Sequence, residues 1–182
     1  IECPAGDGRR PLRELYRAFL SLEEHGWIAE TVAQSAGEYA GKPLMAPVMS
    51  FRTKKKGKAA WLIAGIHGKE PAGPNALADG IRFIRALGAR MPIVLLPLCN
   101  PLGYARNWRY LDAATWTQGR EGCSIGDSEH VLPGLKNPEI PRAARASSPE
   151  ARALVAHVLN MAADYPPAFS VDLHEDSLID EG

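Results

Sequence analysis

Apolar residues recur at helical spacing near the start of the chain. Leu12, Leu15, Tyr16, Phe19 and Leu22 fall on one face and predict a helix over residues 11–24. Two strand-like stretches follow at 28–33 and 44–51, separated by Gly37, Gly41 and Pro43. A cluster of Lys54, Lys55, Lys56 and Lys58 around Gly57 then reads as a solvated hairpin tip. Residues 59–65 form an unbroken apolar run of strand length, which suits a central strand covered on both faces. A helix is expected over 74–87, because Pro74 suits a first turn where an N–H has no intrahelical partner. Residues 92–98 give another apolar run, closed by a turn at Asn100-Pro101-Leu102-Gly103. The stretch 112–147 is rich in Gly, Pro, Ser and Asp and reads as loop. Ser148-Pro149-Glu150 supplies an N-cap, a first-turn proline and an acid at the positive end of a helix running to about 163. A last strand over 168–173 delivers His174 at its carboxyl end.

Strands and helices alternate after residue 59, which implies parallel connections, whereas the early strand pair implies an antiparallel part. The expected fold is therefore α/β: a mixed, largely parallel central sheet flanked by helices. In such sheets ligands bind beyond the carboxyl ends of the strands. His67, Asn100 and His174 each fall just past such an end.

Composition narrows the field without changing that picture. A chain of 182 residues with 46% hydrophobic content suits one compact domain spanning residues 1–182. Twenty-one basic residues balance 21 acidic ones, so no long-range field points to nucleic acid or a membrane surface as partner. No run of 18 apolar residues offers a membrane span, and no leader is visible after Ile1. Cys3, Cys99 and Cys123 are odd in number and lack CxxC spacing. They suggest a reducing, cytoplasmic setting, with Cys99 a small core residue.

The candidate chemistry lies in two short segments. His67-Gly68-Lys69-Glu70 is an HxxE, able on a tight turn to bring an imidazole and a carboxylate to one ion, though common by chance when taken alone. In the last strand, alternation puts Ser170, Asp172 and His174 on one face. A polar row on a buried strand end is costly unless paired or bound to something. Two histidines and one carboxylate leave a fourth coordination position open, the catalytic pattern for zinc, where a water could be activated and a carbonyl polarised. No cysteine has a partner at ligand spacing, and HExxH is absent.

Three segments together resemble the zinc carboxypeptidase superfamily, particularly the branch shared with succinylglutamate desuccinylase and aspartoacylase. They are Gly65-Ile66-His67-Gly68-Lys69-Glu70, Asn100-Pro101-Leu102-Gly103 and Val171-Asp172-Leu173-His174, in the family's order and each after a strand. The resemblance implies a carboxypeptidase-like, phosphorylase/hydrolase-type sandwich and Zn2+ held by His67, Glu70 and His174. It implies that Arg109, in Arg106-Asn107-Trp108-Arg109, polarises the scissile carbonyl and stabilises the oxyanion, with Arg106 as second candidate. A surface arginine stacked on Trp108 or Tyr110 is the plainer account of Arg109. Asp127 matches the aspartate that orients the first zinc histidine. Where the family carries an Asn-Arg pair for the substrate carboxylate, this chain has Ser128-Glu129-His130. Glu129 and His130 are then either contacts for a cationic or neutral substrate group or solvent-facing loop residues.

The family's general-base glutamate lies on a strand well beyond the third ligand, and none of Glu175, Asp176, Asp180 or Glu181 matches it. Glu175 and Asp176 stand near enough in sequence for a local acid role. The chain is accordingly expected to be C-terminally incomplete, lacking later strands. The expected function is zinc-dependent hydrolysis of an amide bond in a peptide or an N-acyl amino acid. The alternative is a metal-binding α/β domain without hydrolytic activity.

Overall fold

The computed structural model describes residues 6–111 and 148–175. Its longest elements are two antiparallel strands, β1 (Ile28–Tyr39) and β2 (Lys42–Arg52), paired from Ile28–Arg52 to Tyr39–Lys42. Both run further than the expected 28–33 and 44–51. Gly37 and Pro43 lie inside the strands, and only Ala40 and Gly41 turn the chain, at φ 50° and 73°. Positive φ at both central residues matches the right-handed twist of the flanking strands.

The sheet continues as β1-β2-β4-β3-β5, with β3 at Ala59–Ala64, β4 at Ile93–Leu96 and β5 at Pro167–Leu173. The β2–β4 pair is antiparallel, while β4–β3 and β3–β5 are parallel, so the sheet is mixed as expected. The lysine-rich segment is not a hairpin tip, because β4 lies between β2 and β3; it is a crossover loop whose lysines are exposed. The last strand is also not a buried one. It forms an edge of the described sheet, and Phe169 and Val171 are exposed.

Alternation along β4 builds two cores. Ile93 and Leu95 join Leu15, Phe19, Phe51, Leu77 and Ile84 on one face. Val94 and Leu96 join Trp61, Leu154, Met161 and Tyr165 on the other. The first face is covered by α1 (Leu12–Leu20), α2 (Ala72–Asp79) and α3 (Ile81–Gly88). The expected helix at 11–24 is α1 followed by a 3-10 turn over Glu23–His25, which stops at left-handed Gly26. The expected helix at 74–87 starts at Ala72 and breaks at Gly80 into α2 and α3. Pro74 is tolerated because it still sits in the first turn. The second face is covered by α5 (Pro149–Asp164), where Ser148 Oγ accepts from Ala151 N at 3.0 Å as the cap predicted from sequence.

The Asn100–Gly103 segment is more than a turn: it opens α4 (Pro101–Arg106). Asn100 is the N-cap, accepting from Gly103 N at 2.8 Å, and Pro101 takes the first helical position. Cys99 is fully buried, and desolvation pushes its thiol pKa up, consistent with an inert core residue. No helix among the described residues is long and apolar enough to cross a membrane.

Candidate metal centre

The site forms where β3, β4 and β5 end. After β3 the chain turns through Gly65, whose φ of 64° suits glycine and whose Cβ would lie 2.8 Å from Leu98 Cδ1. That bend aims Ile66 into the core and sets His67 at the sheet's rim. Gly68 packs directly against α4: an added Cβ would lie 2.1 Å from the Gly103 carbonyl carbon. The turn is tied further by Gly68 N donating to Arg109 O at 3.2 Å and Glu70 N to His67 O at 3.2 Å. His174 follows β5 immediately and reaches the same place across the parallel β3–β5 pair.

Glu70 is the centre of the arrangement. Its Oε1 lies 2.9 Å from His67 Nδ1, and its Oε2 lies 2.9 Å from His174 Nδ1. Arg109 Nη1 donates to Oε1 at 3.0 Å, and Glu175 N donates to Oε2 at 3.2 Å. One potential ligand atom from each of His67, Glu70 and His174 lies within 4.8 Å of the other two. His67 and Glu70 are buried, whereas the His174 side chain is 38% exposed, so the set opens to solvent on one side. Burial alone would raise the Glu70 pKa. The hydrogen bonds from His67, Glu175 N and His174 outweigh it and push it down to about 2, so the carboxylate is charged.

Asp172 Oδ2 lies 3.0 Å from His174 Nε2. The His174 imidazole thus lies between two carboxylates, and where Nδ1 binds a cation Asp172 would accept from Nε2–H and fix the tautomer. His174 Nδ1 and Glu70 Oε2, 2.9 Å apart, share a proton or, in its place, a cation. The donor set fits a divalent ion on those grounds.

The other expected site residues divide clearly. Arg109 reaches the cluster and also lies over Tyr110, 5.7 Å from its ring centroid, so contact with the site and aromatic packing coexist. Arg106 does not come to the cluster. Its Nε donates to Glu38 O at 2.8 Å, and its guanidinium lies over Trp108 at 4.6 Å, an anchor to β1. Glu175 has a backbone task, since its Oε2 accepts from Ala72 N at 3.0 Å in the first turn of α2. Asp127, Glu129 and His130 lie outside the described residues, as do Asp176, Asp180 and Glu181. Tyr110 was not foreseen as part of the site: it is buried, with its ring edge-on to His67 at 6.3 Å. Its only sequence signal is its place beside Arg109.

No family model matches this sequence, and no curated protein matches it either. Solved structures do. A candidate metallopeptidase of Shewanella baltica OS155 aligns with a TM-score of 0.55 at 23% identity, over 89% of this chain and 55% of its own. A second, from Shewanella amazonensis SB2B, gives 0.55 at 22% identity, over 91% of this chain and 56% of its own. Bovine thrombin-activatable fibrinolysis inhibitor, solved in complex with a tick carboxypeptidase inhibitor, gives 0.58 at 16% identity, over 93% and 61%. At these identities the likeness is one of fold. The chain has the carboxypeptidase-like α/β fold that its resemblance to the zinc carboxypeptidase superfamily implies. It spans about half the length of the candidate metallopeptidases it matches.

Proposed function

We propose that the protein is a zinc-dependent hydrolase of an amide bond in a peptide or an N-acyl amino acid, with His67, Glu70 and His174 as metal ligands. The observation that carries this reading is the convergence of two imidazole Nδ1 atoms on one carboxylate, with Asp172 behind His174. Two nitrogens and one carboxylate oxygen suit zinc and leave a position open. The structural likeness to candidate metallopeptidases, and to a protein that binds a carboxypeptidase inhibitor, supports the same class.

Bound there, the ion supplies Lewis acidity toward a carbonyl and acidifies water. The remaining chemistry belongs to the chain. Asp172 holds the His174 imidazole in one tautomer and orientation. Arg109, 26% exposed in its side chain and held at Glu70 Oε1, presents a planar cation beside the set. A carbonyl oxygen gaining negative charge beside that cation is stabilised without reorganisation of the site. Glu175 is committed to the α2 backbone, and no general base is assigned among the described residues.

That commitment favours a second reading, a metal-binding domain that does not hydrolyse. The deciding experiment combines zinc content with hydrolysis of peptides and N-acyl amino acids, for the wild type and for Glu70→Ala. Stoichiometric zinc and turnover in the wild type, both lost in the variant, are expected. Zinc without turnover selects the second reading, and no zinc in the wild type overturns the ligand assignment.

A further inference from the structure

Arg9 is charged and its side chain is completely buried. Taking a guanidinium out of water is expensive unless every donor finds a partner. Arg9 finds them in several segments at once. Its Nη1 donates to Gly68 O at 3.3 Å and also to Tyr104 O. Its Nη2 donates to Asn107 Oδ1 at 2.6 Å, and its Nε donates to Asp7 Oδ2 at 2.9 Å. The guanidinium carbon lies 5.0 Å from the Tyr104 ring centroid. Asp7 balances the charge: burial works to raise its pKa, but the hydrogen bonds and charge of Arg9 prevail and lower it.

Two of these segments carry residues of the candidate site. Gly68 is inside the turn that carries His67 and Glu70. Tyr104 lies within α4, and Asn107 is its left-handed C-cap at φ 57°, immediately before Trp108 and Arg109. We infer that Arg9 is a positioning residue, bracing the metal-ligand turn against the segment that presents Arg109. On the zinc reading, on which this rests, the N-terminal segment Asp7–Arg9 sets the geometry of the site without touching the ion. A planar fork can address Gly68 O, Asn107 Oδ1 and Asp7 together, whereas a lysine ammonium is a point charge on a flexible stem. Lysine therefore keeps the charge and loses the brace.

The test uses Arg9→Lys, Arg9→Ala and the milder Asp7→Asn, each checked for folding by circular dichroism and thermal melting. Zinc affinity is measured by competition with a chromophoric chelator, and the ligand field by the visible spectrum of the cobalt-substituted protein. Folded Arg9→Lys is expected to bind zinc about 10- to 100-fold more weakly, the range seen when partners just outside a metal's ligands are lost. Its cobalt spectrum should shift, and added guanidinium should partly restore affinity to Arg9→Ala. If neither Arg9 variant folds, Asp7→Asn carries the test: weakened zinc binding supports the brace and unchanged binding overturns it. Arg9→Lys that is folded, with wild-type zinc affinity and an unshifted spectrum, overturns this inference while leaving the zinc reading intact. A wild type that binds no zinc overturns both.

Discussion

Replacing Gly68 by alanine tests the packing of the site with one methyl group. The new Cβ would lie 2.1 Å from the Gly103 carbonyl carbon and 2.3 Å from Tyr104 N. Carbon atoms rest at about 3.5–4.0 Å, so the turn and α4 must separate by roughly 1.4 Å. Neither obstacle is a side chain that can swing away; both belong to the backbone of α4. Gly68 lies outside the left-handed region, so steric overlap and not conformational preference carries the cost. Overpacking of this kind costs about 1–3 kcal/mol, and a backbone obstacle argues for the upper end. Moving ligands by about 1 Å is also enough to reduce activity on the order of 100-fold. Gly41→Ala is the matched control. It has φ of 73° with nothing within 4 Å, so it should lose about 1–2 kcal/mol through strain alone and keep its zinc affinity. Urea denaturation and zinc competition on both variants give the answer. Gly68→Ala with near wild-type stability and zinc affinity would refute the close contact on which the site's geometry rests.

Glu70→Gln keeps the size of the side chain but removes its charge, and zinc affinity should fall by more than the roughly 10- to 100-fold expected for an outer partner, as read by equilibrium dialysis. Asp172→Asn should leave folding intact and weaken zinc by about tenfold, because the Nε2–H of His174 loses its anionic acceptor; equal affinity would remove Asp172 from the site. His157 is buried on α5, and its Nε2 has no hydrogen-bond partner among the described residues. Burial lowers its pKa, opposed by Glu30 and aided by Arg52, so in the folded state it binds a proton less readily than in the unfolded chain. Stability attributable to this group is thus complete above about pH 6.5 and declines below it. His157→Leu should gain about 1 kcal/mol at pH 7.5 and more at pH 5.5 in denaturant titrations; a variant less stable at both values contradicts the assignment.

Local signals are enough to read α1, β4 and α5: helical periodicity for the first, an unbroken apolar run for the second and the Ser148-Pro149-Glu150 cap for the third. The break at Gly80 was hidden because the apolar positions Leu77, Ile81 and Ile84 continue through it. The second half of β1 was hidden for the opposite reason: Gln34, Ser35, Gly37 and Glu38 carry little apolar signal, and their partners lie in β2. At Gly37 the missing side chain makes room for Leu102 and Arg106, whose atoms would lie 2.8 and 2.9 Å from a Cβ, a demand set by α4. The helix at Pro101 was legible in principle, since asparagine followed by proline is a helix start as well as a turn. The placing of β4 between β2 and β3 has no local signature at all. His67 and His174 could be picked out because each follows a strand end in sequence, and their grouping with Glu70 as one set comes from the resemblance of three short motifs to the zinc carboxypeptidase superfamily. The contacts of Arg9 and Glu175 could not, because each depends on segments far away in sequence.

The site joins neighbours in sequence to a stranger. His67 and Glu70 are three residues apart, whereas His174 stands 104 residues after Glu70. Two of the three donors can therefore gather as soon as one turn closes, while the third waits for β5 to align beside β3. A cation shared between them would behave as a removable cross-link between segments far apart in the chain. At a thousand times its dissociation constant it would add about 4 kcal/mol to the folded state. Edge strand β5 would feel that tether most, so hydrogen exchange along Phe169–Leu173 should slow on zinc addition well before the central strands respond. The order in which amides become protected during refolding would then record when the distant ligand arrives.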